Sequence, residues 1–371
     1  MRLLIAAGGT GGHIYPAIAV AKEIVARDPS AAVRFVGTIH GLENRLVPQA
    51  GFELSIIESA GLVNMGLMQR LRGLLILPKS FLGARRLIKE FAPDVVVGAG
   101  GYVSGPVLMT ASLIGLPTVL MELNAVPGFT NRRLARFVDA AAVSFEAALP
   151  YFPGKGVVTG NPVRREFFEI KPKQRDRSRV SLLLFGGSQG SRAINDAMIA
   201  ALPHLESHRE QMQVTHQTGP ADFARVRDAY ASQGWTGLDV REYIDDMMDA
   251  FTANDLIVSR AGATTSAELM AAGKAAIMIP LPGQLEQRRN AEAMQQAGGA
   301  RMILQDGLTG ERLAKEIIAL VDAPDEITQM ELASRKLARK DAAAATVDLI
   351  EKVRDRRSEV RGQKSEVGDP K

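Results

Sequence analysis

Cysteine is absent from all 371 residues. That excludes disulfides, thiolate metal sites and cysteine nucleophiles, and it fits a reducing compartment. No Asp-x-Asp pair occurs, and His13, His40, His204, His208 and His216 show no ligand spacing. A pyrophosphate gripped through a bound metal ion is therefore not expected. There is no G-x-x-x-x-G-K-[ST] sequence, which removes the nucleoside-triphosphate P-loop. The opening "MRLLIAAGGTGGH" holds an apolar run only from Leu3 to Ala7, too short for a signal peptide. Charge is missing over the 27 residues from Val95 to Met121, a length that could suggest a membrane span. Gly98, Gly100, Gly101, Gly105, Pro106, Gly115 and Pro117 break it up, so it reads as strand, loop, short buried helix and strand.

What is present belongs to a soluble globular chain, with 46% apolar and 23% charged residues. The length favours two domains over one core. The formal charge of +4 is uneven: residues 1–165 carry 17 Lys+Arg against 10 Asp+Glu, whereas residues 166–371 carry 28 against 31. An anionic partner for the first half is expected on that basis.

A strand, a glycine loop and a helix follow one another three times. They occur in "LLIAAGGTGGHIYPAIAVAKEI" (3–24), "PDVVVGAGGYVSGPVLM" (93–109) and "VSLLLFGGSQGSRAINDAM" (180–198). Further strands "VRFVG", "TVLME", "QVTHQ", "DLIVS" and "AAIMIP" alternate with helical stretches, which predicts an α/β fold of two similar halves, each a doubly wound parallel sheet. The polar, proline-bearing stretch 160–179 marks the boundary, giving domains 1–163 and 164–341. A last helix over about 342–356 follows, then a tail, 357–371, too polar to pack.

Glycine after a parallel strand lets backbone N–H groups approach an anion, and the next helix aims its positive end there. A nicotinamide site is excluded, because Ile14 stands where the third glycine of G-x-G-x-x-G belongs and Thr38 where an acid is needed. In "SRAGATTSAELMAAGKAAIMIP", Thr265 and Glu268 have the spacing of a capping box; the alternative is that Glu268 accepts hydrogen bonds from a ribose diol. Gln287 and Asn290 fall near the start of a further helix. His13 directly precedes the first helix, where a positive helix end would keep the imidazole neutral and fit to act as a general base; the plainer reading is a ring bonded to local backbone.

These segments, together with "GNPVR" and "YIDDM", resemble glycosyltransferase family 28, the bacterial peptidoglycan N-acetylglucosaminyltransferases, in order from about residue 2 to 350. The resemblance implies the GT-B fold, two Rossmann-like domains facing a central cleft. It implies inverting transfer of N-acetylglucosamine from UDP-GlcNAc to the 4-hydroxyl of the muramoyl sugar of lipid I, forming lipid II. Neither a metal, a cofactor nor a nucleic-acid partner is implied. By the same resemblance Thr10, Gly11 and Gly12 lie by the donor sugar and diphosphate, Asn124 meets the sugar, and Arg164 and Ser188 serve the donor. Ile244 contacts uracil through its backbone. Ala263, Thr264, Thr265, Ser266 and Ala267 supply amides to phosphate, Glu268 takes the ribose, and Gln287 meets the donor sugar. The family pattern differs at Met121 and Leu123, and at Leu285 and Glu286.

Transfer requires a deprotonated acceptor hydroxyl. His13 is expected to take that proton, with Glu122 as rival or orienter, and Tyr102 and Ser104 to meet the acceptor diphosphate. Residues 62–90 thread Arg70, Arg72, Lys79, Arg85, Arg86 and Lys89 among apolar side chains. With a lipid-linked acceptor, this predicts peripheral attachment to an anionic bilayer at the cytoplasmic face of the cell membrane. A UDP-sugar 2-epimerase of similar fold, a galactolipid synthase of the same family and a non-catalytic nucleotide-sugar binder are the alternatives.

Overall fold

The computed structural model describes residues 1–39, 41–59, 67–172, 179–235 and 238–366, with side chains described except over 67–76 and 358–366. The chain divides into two compact units, Met1–Arg164 with Asp341–Lys371, and Arg165–Lys340.

In the first unit seven strands are all parallel: β1 (Arg2–Ala7), β2 (Ala32–Gly37), β3 (Glu53–Ile56), β4 (Val95–Gly100), β5 (Thr118–Glu122), β6 (Ala140–Val143) and β7 (Gly156–Val158). Their order is β3-β2-β1-β4-β5-β6-β7. Leu3 to Ala7 and Val95 to Val97 are wholly buried, as unbroken apolar runs must be when helices cover both faces of a parallel sheet. Each such Leu or Val contributes about 1.5–3 kcal/mol on burial. Because β1 lies between β2 and β4, the strand order reverses beside it, and the crevice beyond the carboxyl ends of β1 and β4 is where such sheets bind ligands. The register between β1 and β4 slips at Ala6/Ala7, so that Ala99 stands unopposed and Gly100 pairs with Ala7 at the end of the strand.

The helices that bear on function here are α1 (Gly11–Arg27), α2 (Glu43–Gln49), α3 (Leu67–Phe91), α4 (Ser104–Leu113) and α5 (Phe129–Leu134). The charge-free stretch resolves into β4, α4 and β5, and among the described residues no helix is long and apolar enough to cross a membrane.

In the second unit β8 (Val180–Phe185), β9 (Met212–Gln217), β10 (Asp239–Arg241), β11 (Leu256–Ser259), β12 (Ala275–Met278) and β13 (Ala300–Met302) form a parallel sheet in the order β10-β9-β8-β11-β12-β13. Here the reversal falls between β8 and β11.

The final helix does not stop near 356. It spans Ala342–Glu366, and the guanidinium of Arg357 pairs with Asp139 Oδ1 at 2.6 and 3.1 Å. Charged side chains at helical spacing suit a solvated helix as well as a loose tail. Val347, Ile350 and Val353 bury its apolar face in the first unit. Residues 367–371 lie outside the described residues.

Candidate active site

At the end of β1, Gly8, Gly9 and Thr10 turn the chain into α1. Thr10 is the extended N-cap residue, exposed, with no side-chain capping bond. The amides of the first turn thus keep the positive helix end for an anion. His13 lies within that first turn, not ahead of it. Its ring packs on Gly100, where φ is +113° and a Cβ would overlap the imidazole, so this position requires glycine. Nδ1 of His13 is buried, with no hydrogen-bond partner among the described residues. Burial drives its pKa below 6.5, opposed by the Gly8 carbonyl that faces the ring, so the imidazole is neutral near pH 7.

Glu122 ends β5 and is 1% exposed. Its carboxylate accepts from the backbone N–H and side-chain amide of Asn124 at 2.9 and 3.1 Å, and from Nδ2 of Asn131 at 2.7 Å. Burial raises its pKa, while these bonds and the backbone of Gly128 pull it down. Both oxygens are occupied and no hydrogen bond joins Glu122 to His13 among the described residues. Glu122 therefore organises the loop carrying Asn124 and ties it to Asn131.

Arg164 stacks over the ring of Tyr15, 4.8 Å from its centroid, and that ring in turn packs on Gly11. A guanidinium is thus set beside the α1 start. Tyr102, after β4, is 52% exposed. Ser104 departs from its expected role: its hydroxyl is buried, accepts from Gly100 N–H at 3.0 Å and faces the carbonyls of Ala6 and Gly100 at 2.8 and 2.7 Å. It fastens the β4 loop to β1 and has nothing left for a ligand.

In the second unit, β8 leads through Gly186–Gly190 into the helix Arg192–Leu205, with Ser188 half-buried in the loop. Gln217, at the end of β9, donates from Nε2 to the Gly187 carbonyl at 2.8 Å, while its Oε1 accepts the N–H of Ile244 at 2.9 Å. The backbone of Ile244 can therefore meet a base through its carbonyl only. Behind this loop lies a closed polar chain. Tyr230 bonds His216 Nδ1 at 2.6 Å, His216 Nε2 bonds Asn195 Oδ1 at 3.0 Å, and Asn195 Nδ2 donates to the Thr218 carbonyl and to Asp222.

After β11 the helix Ala263–Ala272 begins with Gly262 as its N-cap. No capping box forms: Thr265 is already in the first turn, and a glycine cap leaves it no role as the capping side chain. Glu268 is buried on the same helix. Oε1 of Gln287 accepts the Leu281 N–H at 3.1 Å, leaving its amide N–H groups, whereas Asn290 is buried and donates to the Ala261 carbonyl at 3.0 Å.

The first unit thus gathers Thr10, Gly11, Gly12, His13, Tyr102, Glu122, Asn124 and Arg164; the second gathers Ser188, Ile244, residues 263–268 and Gln287. Asn131, Gln217 and Glu43 are absent from the sequence reading. Among the described residues no cluster of three or more His, Asp or Glu side chains could hold a metal ion.

Residues 3–143 match the glycosyltransferase family 28 N-terminal domain and residues 181–346 the family's C-terminal domain. A relative from Anaeromyxobacter dehalogenans is 46% identical over 99% of this chain and 97% of its own. It is named UDP-N-acetylglucosamine–N-acetylmuramyl-(pentapeptide) pyrophosphoryl-undecaprenol N-acetylglucosamine transferase. One of the same name from Geobacter sulfurreducens is 45% identical, covering 94% of this chain and 97% of the relative. Among solved structures, MurG of Acinetobacter baumannii superposes with a TM-score of 0.74 at 31% identity, covering 95% of this chain and 99% of that one. A UDP-GlcNAc 2-epimerase from Neisseria meningitidis, crystallised with UDP-GlcNAc, reaches 0.69 at 15% identity over 95% and 100% of the two chains, a likeness of fold alone.

Proposed function

The chain belongs to glycosyltransferase family 28, and from that premise we propose how its two glycine-loop sites divide the work of sugar transfer. It is a UDP-N-acetylglucosamine-dependent N-acetylglucosaminyltransferase acting on undecaprenyl-pyrophosphoryl-N-acetylmuramyl-pentapeptide, lipid I, to give lipid II. The observation that carries this is 46% identity along 99% of the chain to a transferase of that name.

The second unit holds the donor. Loop amides at 186–190 and the uncapped start of the helix Ala263–Ala272 receive the diphosphate, Glu268 takes the ribose, the Ile244 carbonyl takes the uracil N3–H, and Gln287 meets the sugar. In the first unit Thr10, Gly11, Gly12 and Arg164 are the donor-binding residues that the family resemblance implies. Neutralising the departing UDP with oriented amides is the electrostatic contribution that dominates such reactions.

The first unit supplies the base. The 4-hydroxyl of the muramoyl sugar gives its proton to His13, which burial keeps neutral near pH 7. The freed oxygen attacks the anomeric carbon, the bond to the β-phosphate oxygen breaks, and UDP leaves with the electron pair. One displacement inverts the configuration. Glu122 holds Asn124 in place, and Tyr102 with the β4 loop amides meets the acceptor diphosphate.

The enzyme works as a peripheral protein on the cytoplasmic face of the membrane. On α3, Ala84, Leu87, Ile88 and Phe91 face the core while Lys79, Leu82, Arg85, Arg86 and Lys89 are exposed, an apolar side chain inside a basic rim. Residues 62–66 of the candidate patch lie outside the described residues.

Incubation of labelled UDP-GlcNAc with a lipid I analogue, with and without EDTA, tests the reaction: labelled lipid product in both arms is expected, and free GlcNAc-derived epimer without product would overturn it. Sedimentation with anionic but not neutral vesicles, reversed by salt, is expected of the membrane reading; equal binding to both would refute it.

A further inference from the structure

His216, next to last in β9, is wholly buried, and its ring lies 5.9 Å from that of Tyr230, a member of the second unit's apolar core. A polar ring in such a place is tolerated only when fully bonded. The bonds also fix every proton along the chain. Asn195 gives its two amide N–H groups to the Thr218 carbonyl at 3.0 Å and to Asp222 Oδ2 at 2.8 Å, which leaves Oδ1 turned to His216. Nε2 of His216, 3.0 Å from that oxygen, must therefore carry the ring proton, and Nδ1 accepts the Tyr230 hydroxyl at 2.6 Å. Burial takes the ring's pKa down to about 3, so this neutral tautomer holds at pH 7. Asp222 is itself gripped by Arg225, which also pairs with Asp196 on the helix that bears Asn195.

The chain ends on backbone. The Thr218 carbonyl that Asn195 holds lies against Gly190, where a Cβ would overlap it, and a Cβ on Gly219 would overlap the Gln189 carbonyl. Both glycines have positive φ, +73° and +83°. The 186–190 loop and the 218–219 turn thus touch main chain to main chain. Asn195 ties that turn to the helix into which the loop leads. We infer that His216 is a positioning residue for the donor's diphosphate, acting through Asn195 and Thr218 to hold the 186–190 loop in its anion-receiving shape. By donating to Oδ1 it sets the plane of the Asn195 amide, and with it the surface on which the loop rests. Amides held ready in this way need no reorganisation when the anion arrives. The inference rests on that loop receiving the diphosphate.

The test compares two polar substitutions in the full-length chain. His216→Gln places an amide N–H where Nε2–H stood. His216→Asn reaches only the Nδ1 side and leaves Asn195 Oδ1 without its donor. Binding of UDP and of uridine is measured for each. For His216→Asn the UDP Kd is expected to rise about tenfold, the value of one lost buried hydrogen bond, while the uridine Kd stays within about twofold. His216→Gln is expected to keep both within about threefold. Equal losses in the two variants, a uridine loss as large as the UDP loss, or no loss in either overturns the inference and leaves His216 a space-filling residue. Ser188→Asp, which brings a negative charge into the loop, tests the premise by itself. Its UDP Kd is expected to rise at least about tenfold. An unchanged value overturns the loop reading and the inference together, whereas a tenfold rise beside equal behaviour of the His216 variants overturns the inference alone. Should the His216 variants not fold, imidazole ¹⁵N spectra of the unaltered protein decide, with the ring identified by its Overhauser contacts to Tyr230. A lone Nε2–H tautomer whose signal moves on adding UDP but not uridine supports the inference. An Nδ1–H tautomer, or a signal indifferent to UDP, refutes it.

Discussion

Gln217 takes the N–H of Ile244 on its side-chain oxygen at 2.9 Å, and so withdraws one of the two polar groups that backbone could show a nucleobase. In the donor site proposed above, what is left is a lone carbonyl, which would suit the N3–H of uracil and oppose the N3 lone pair of cytosine. The same carboxamide holds Gly187, so the Ile244 backbone and the 186–190 loop are set at a fixed spacing by one side chain.

Gln217→Leu strands the buried N–H of Ile244, at a cost of about 1–3 kcal/mol, and frees the part-buried carbonyl of Gly187. Donor KM is expected to rise at least about tenfold while acceptor KM is unchanged, and discrimination between UDP-GlcNAc and its CDP counterpart to shrink. Steady-state kinetics with each substrate varied in turn measure this.

His13→Ala is expected to lower kcat by about 10²–10⁴. Because burial lowers the pKa of His13, the ring stays unprotonated below pH 6.5, and the acid limb of the pH–rate profile is expected beneath that value. An acid limb above 6.5 would contradict the assignment.

Asn131→Leu removes a 2.7 Å hydrogen bond from the buried Glu122. A loss of about 1.5–3 kcal/mol in stability is expected, the value of a hydrogen bond to a charged group. Lower affinity for UDP-GlcNAc is expected alongside it, because Asn124 shares the same carboxylate. Denaturant titration and donor binding read the two effects separately.

Acid should weaken the second unit early. Burial pushes the pKa of His216 down to about 3, so the unfolded chain takes up a proton below pH 6.5 that the folded one refuses. Stability present above 6.5 is therefore lost as pH falls below it, by about 1.4 kcal/mol per pH unit until about 3. Asp222, with a pKa lowered to about 2 chiefly by Arg225, adds its own loss only at more acid pH. Denaturation at pH 7 and 5 should differ by about 2 kcal/mol, and His216→Asn should flatten that slope.

The fold was legible because its determinants are local. Unbroken apolar runs such as Leu3–Ala7 and Leu182–Phe185 have few places to go but the middle of a parallel sheet, and glycine clusters punctuate their ends. The family's motif residues were legible as contiguous text. Glu43, Asn131 and Gln217 were not, because each is a single polar letter whose partners are backbone or side-chain groups remote in sequence: Gly9 is 34 positions from Glu43, and Ile244 is 27 from Gln217. The capping-box alternative fails for the opposite reason. Thr265 and Glu268 have the right spacing, but the helix begins at Ala263, one residue after a glycine that needs no side-chain cap.

The helix Ala342–Glu366 belongs to the unit that the first residues begin. During synthesis the ribosome therefore exposes the amino-terminal sheet long before it releases Val347, Ile350 and Val353, which cover part of that unit. The intervening unit has all its strands and can close first. Premature termination near Asp341 would spare the second unit and leave the first with an uncovered apolar surface, a substrate for proteases and chaperones instead of an enzyme.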